Sequence, residues 1–153
     1  MNWYPVLLFV HVISIVVWVG GMFFAYQCLR PVAAQQLAAA ERLRLWNGVF
    51  ARFFPWAWGA AVLVPFSGLT IIATIGWSAA PLRWQLMLLT GFVMIAIFVV
   101  VFFFPFRALR NGVQTEDWKL AGEALARIRQ LVGLNILLGL LTIGIATAGR
   151  LIA

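Results

Sequence analysis

Four long apolar runs, separated by basic or turn-forming stretches, set the pattern of this chain. The first extends from about Val6 to Cys28, with His11 as its sole ionisable side chain, and opens on Trp3, Tyr4 and Pro5. The second extends from about Trp56 to Ile75, is announced by Phe54-Pro55-Trp56-Ala57-Trp58 and contains Pro65. The third, about Trp84 to Phe104, is closed by Pro105, and the fourth, about Leu131 to Gly149, ends at Arg150. Each reaches the roughly 20 residues that a helix needs to cross a hydrocarbon core of about 30 Å. The pattern predicts an all-α integral membrane protein, an antiparallel bundle of four transmembrane helices in one domain spanning residues 1–153. Pro65 is expected to kink the second span, because proline removes a backbone donor and crowds the preceding turn. The start of the chain lacks a basic n-region, so the first run is expected to be a retained span rather than a signal peptide.

Composition strengthens this reading. With 65% hydrophobic and 10% charged residues and a mean hydropathy of +1.02, the chain has too little polar surface to coat a soluble globule. Its net charge of +7 would raise nucleic acid in a soluble protein. Here the basic residues flank apolar runs, so the lipid bilayer is the expected partner and nucleic acid is not.

Charge also predicts orientation. Arg30, Arg42, Arg44 and Arg52 lie between the first two runs, and Arg107, Arg110, Lys119, Arg127 and Arg129 between the last two; only Arg83 and Arg150 fall on the other side. Lys and Arg are retained in the cytoplasm, so both termini are expected outside, on the periplasmic side if the organism is a Gram-negative bacterium. The basic loops, residues 30–53 and 107–129, are rich in Ala, Leu, Gln, Glu and Arg, and are expected to be helical stalks or to lie on the headgroups. Arg30 to Arg52 and Arg107 to Arg129 are equally spaced, a faint internal repeat. Arg30, Arg52, Arg107 and Arg129 are read as a cytoplasmic rim that meets lipid headgroups.

Chemistry within the membrane has few carriers. His11 lies about 7 Å inside the apolar zone by helical rise, where an ionisable group needs a partner or a role. Ile15 and Trp18 share its face. Its functional readings are a copper or haem ligand, or a proton-transfer site; its bland one is a histidine bonded to a carbonyl or water. Other donors are Met22, Cys28, Met87 and Met94 within the membrane, with Met1 at the surface. Imidazole and thioether suit copper(I), which makes His11, Met22, Met87 and Met94 the candidate metal set, although methionines in apolar helices usually serve packing. Cys28 is expected to be a small buried apolar residue. Trp18, Gly20, Gly21, Pro65, Asn135 and Gly139 are read as structural. The two glycines admit close helix approach, and Asn135, Gly139, Thr142 and Ala146 form a small and polar ridge, with Ser14, Ser67 and Thr70 as expected partners of Asn135. Trp3, Trp56, Trp58, Trp77 and Trp84 are expected to be interfacial anchors. No catalytic triad, nucleotide loop or zinc motif is present, so no catalytic residue is assigned.

Phe9-Val10-His11, Val17-Trp18-Val19-Gly20-Gly21 and Leu29-Arg30-Pro31 resemble the opening of CopD-like (copper resistance protein D) membrane domains. The likeness continues through Phe50 to Trp56, Pro105-Phe106-Arg107 and Ile128 to Asn135 to Ala148-Gly149-Arg150. It implies a multi-pass bacterial inner-membrane protein involved in copper transport or homeostasis, with His11 the metal-related residue and Trp18 and Gly21 structural. Fewer histidines and methionines stand here than in transport-competent relatives. His11, Trp18 and Gly21 also have the spacing seen in the first helix of HemJ-type protoporphyrinogen oxidases, which implies haem b as the alternative cofactor. The lysine of that family is missing near Trp84-Gln85-Leu86-Met87, and Arg30 comes late. Two axial histidines would then require a homodimer. A third reading is an accessory subunit of a larger membrane complex.

Overall fold

The structure, a computed structural model, describes residues 3–149. Helix α1 (Tyr4–Phe24) passes through one π-helical turn, Ala25–Leu29, into α2 (Arg30–Gln36). After the break at Leu37 and Ala38, α3 (Ala39–Ile75) runs back along the whole bundle. Helix α4 (Leu82–Phe103) breaks at Phe104 and continues as α5 (Pro105–Gln114), and α6 (Trp118–Ala148) returns. Four helical stretches, Tyr4–Gln36, Ala39–Ile75, Leu82–Gln114 and Trp118–Ala148, are long and apolar enough to cross a membrane. Exposed Phe9, Val16, Phe66, Leu86 and Leu137 give the bundle an apolar belt, a surface that is stable against lipid rather than water.

The basic segments continue the spans as stalks. The second helix starts at Ala39, ahead of the apolar run that begins near Trp56, and Pro55 lies well inside it. The helix is continuous through Pro65 as well. True turns are short. Gly76, at φ 92, ends α3 in a conformation that only glycine adopts without strain. Glu41 accepts from the Ala38 N–H at 3.2 Å and Asp117 from the Leu120 N–H at 3.0 Å, capping α3 and α6.

Contacts divide the bundle into two hairpins, α1 against α3 and α4–α5 against α6. Between them lies an aromatic seam. Trp46, Phe50 and Phe54 stack successively at 5.2 and 5.3 Å between ring centres, and Phe54 meets Phe106 edge-on at 4.7 Å. Such pairs contribute about 0.5–1.5 kcal/mol each beyond burial. The signal is in the sequence as two ladders with a four-residue step, Trp46-Phe50-Phe54-Trp58 and Phe98-Phe102-Phe106. Trp58 belongs to this seam, 5.0 Å from Phe98, and so is not simply an interfacial anchor.

Candidate functional site

In α1, His11 stands about 10 Å along the helix from Tyr4. It faces the stretch of α3 on either side of Pro65. Its Nδ1 lies 3.1 Å from the Val64 carbonyl oxygen and 2.9 Å from Ser67 Oγ. A carbonyl only accepts, so in the neutral ring the contact with Val64 is satisfied by the tautomer with the hydrogen on Nδ1 and the lone pair on Nε2. Ser67 is fully buried and donates its own hydrogen to the Leu63 carbonyl at 2.6 Å, leaving its oxygen to accept from the imidazole. Gly68 provides the space: a Cβ there would stand 3.3 Å from His11 Cε1. Four residues of α3, Leu63, Val64, Ser67 and Gly68, thus orient one half-buried ring, and Nδ1 is engaged while Nε2 stays chemically available. That division of labour is the one metal-binding histidines use, with one nitrogen fixed by a backbone or hydroxyl oxygen and the other free to ligate.

The remaining donors do not join it. Met22 lies about 16 Å farther along α1, by helical rise, and lines an apolar cavity of about 280 Å³ together with Trp18, Phe54 and Asn135. Met94 is buried beside Gly139, where a Cβ would stand 3.3 Å from its Cε. Met87 is about 10 Å from Met94 along α4. No group of three or more His, Cys, Asp or Glu residues gathers among the described residues. Cys28, within the π-helical turn, is exposed rather than buried. Met1 and Arg150 lie outside the described residues.

The structural candidates divide similarly. Trp18 is buried and edges onto Phe98 at 5.9 Å. A Cβ on Gly21 would run into the Phe53 ring, whereas Gly20 has open space around it and supports no helix contact. Gly139 lets α6 approach Val19 and Met94. Asn135 donates to the Met94 carbonyl at 3.2 Å, so its partner is backbone on α4. Ser14, Ser67 and Thr70, expected as its partners, bond to Val10, to the His11 cluster and to Phe66. Serine 67 and Gly68 as the bed of His11 were legible only as a small-residue pair after Pro65. Of the rim arginines, Arg30 and Arg129 line a common cavity, Arg52 folds back on the Gly48 carbonyl, and Arg107 stacks on Phe103 at 5.0 Å.

An all-helical bundle with four membrane-length helices and one oriented imidazole defines a multi-pass membrane protein. Its family is equally definite: the chain belongs to the copper resistance protein D (CopD) family, whose model matches residues 47–148. The match covers the second, third and fourth spans, and His11 precedes it. No curated protein and no solved structure matches the chain.

Proposed function

We propose that this CopD-family protein takes part in copper movement or homeostasis in a bacterial inner membrane, with its basic stalks cytoplasmic and its termini periplasmic. The observation that carries the reading is the orientation of His11: Nδ1 is held by Val64 and Ser67, and Nε2 is left as a donor at the end of the bundle opposite the arginines. The basic asymmetry supports the orientation, and family membership supports copper as the cargo. The methionines are dispersed, so copper(I) is a substrate passing one imidazole rather than an ion enclosed by this chain. The other ligand comes from a second copy or from whatever delivers the metal.

A second reading rests on the same hydrogen bonds, in which His11 is only a clamp between α1 and α3. Two substitutions separate the readings. Asparagine can place an amide N–H near the position of Nδ1 but has nothing at Nε2; alanine has neither. Purified wild type is expected to bind copper(I) in competition with a chromogenic chelator. His11→Asn is expected to lose that binding while melting near wild type, and His11→Ala to lose both binding and stability. Copper binding by His11→Asn at wild-type strength would overturn the assignment of Nε2. A Soret band in the purified wild type would transfer the site to haem.

A further inference from the structure

At the arginine-rich end, a cavity of about 400 Å³ opens between the stalks, where the π-helical turn and α2 meet α3 and α6. Arg30, Arg42 and Arg129 line it, each from a different arm of the bundle. No carboxylate does so. The acids of this end are engaged elsewhere: Glu41 caps Ala38, Asp117 caps Leu120, and Glu116 pairs with Arg44 at 3.0 Å, while exposed Glu123 stands outside the cavity. Among the described residues the three cavity arginines have no carboxylate partner. Cationic groups lining one cavity repel one another, and an anion seated among them relieves that repulsion.

The cavity is also shaped in advance. The Arg30 guanidinium lies 5.0 Å over the Tyr26 ring, and that ring rests against Gly133, where a Cβ would approach it to 3.3 Å. Leu43, Trp46 and Phe50 make the inner wall apolar, and through Phe50 and Val132 it adjoins the apolar cavity of about 280 Å³. Guanidinium groups bind phosphate oxygens in a bidentate fork. A charged mouth continuing into an apolar interior fits an amphiphile, not a small soluble anion.

We infer that Arg30, Arg42 and Arg129 form a binding site for the phosphate of one anionic phospholipid, its glycerol and upper acyl segments lying against Leu43, Trp46 and Phe50. The site is independent of copper. It differs from the general attraction of basic loops to a charged leaflet because it is built by three helical arms and has a fixed stoichiometry.

The full chain, purified in mild detergent and passed into phosphatidylcholine nanodiscs doped with phosphatidylglycerol, tests this by native mass spectrometry. Wild type is expected to retain one phosphatidylglycerol per chain in preference to phosphatidylcholine. Arg30→Gln, Arg42→Gln and Arg129→Gln are each expected to weaken retention about fivefold, the worth of one basic residue beside an anionic headgroup. Arg110→Gln and Arg127→Gln, which remove the same charge from outside the cavity, are expected to change nothing. Arg→Lys at the three positions should recover part of the retention, and melting in pure phosphatidylcholine reports folding separately. The proposal is overturned if wild type shows no one-to-one preference for phosphatidylglycerol or if the outer arginines matter equally. Displacement of the lipid by millimolar inorganic phosphate would likewise overturn it, assigning the site to a soluble anion.

Discussion

The two hairpins of this bundle solve one problem differently. In the second, α4 and α6 are joined by neutral polar groups: Thr142 Oγ1 lies 2.8 Å from Thr90 Oγ1, and Asn135 donates to the Met94 carbonyl. In the first, α1 and α3 are joined by His11 on Val64 and Ser67. A threonine pair shows that the fold can clamp two spans without an ionisable side chain. Histidine in the equivalent role brings an extra nitrogen that this packing does not use, and the proposal for His11 rests on that surplus. The breaks differ as well. The first span absorbs a π-helical turn before its stalk, a device associated with functional sites, whereas the third simply breaks at Phe104 before Pro105.

The largest stability effect is expected where the second hairpin turns. Gly112 in α5 faces α6, and a Cβ there would stand 2.8 Å from the Ala121 backbone nitrogen and 3.0 Å from the Asp117 carbonyl oxygen. Backbone cannot yield as a side chain can, so Gly112→Val is expected to cost about 3 kcal/mol, read as a loss of resistance to unfolding in denaturing detergent. The first hairpin supplies the contrast. Gly21→Ala meets only the tip of the Phe53 ring, which can swing aside, so about 1 kcal/mol is expected. Equal costs would mean that the stalk turn is as adaptable as the α1–α3 seam.

Next come the two clamps. His11→Ala removes an interhelical donor and leaves the Val64–Ser67 side of the contact unfilled, for which about 1–2 kcal/mol is expected. Thr142→Val removes a hydroxyl pair in which each partner also reaches a carbonyl of its own helix, Leu138 or Leu86. About 0.6 kcal/mol is expected there, the average for polar contacts between membrane helices. A threonine clamp that proves the stronger would remove the case for surplus chemistry at His11.

Much of this arrangement was legible in the residues. Apolar runs of about 20 residues set the number of spans, because a helix of that length crosses the hydrocarbon core with its backbone satisfied internally. The helices themselves run past the apolar runs at Trp56 and Leu131, as the helical character of the basic segments implied. A helix tolerates proline and arginine where Pro55 sits within a long span and the arginines extend into the stalks. His11 stood out because charge is costly in lipid. Its bed did not, since Ser67 and Gly68 are small residues whose importance appears only once α1 lies against them. The methionines shared a chemistry in the sequence but not a place in the bundle, because spacing along one helix says nothing about depth on another.

The smallest effect, and the sharpest for the second hairpin, concerns Asn135. It is 3% exposed, its Nδ2 reaches the Met94 carbonyl, and its Oδ1 has no partner among the described residues. Replacing it by the similarly sized leucine removes one interhelical bond, about 0.6 kcal/mol. The same change removes a buried unpaired acceptor, whose desolvation costs about 1–3 kcal/mol. The second term is the larger, so Asn135→Leu is expected to leave the bundle as stable as wild type or slightly more so. Destabilisation beyond about 1 kcal/mol would mean instead that Oδ1 is occupied in the membrane. Since Asn135 shares its apolar cavity with Met22 and Trp18, such a result would place a bound polar molecule inside the bundle and make the second hairpin chemically active too.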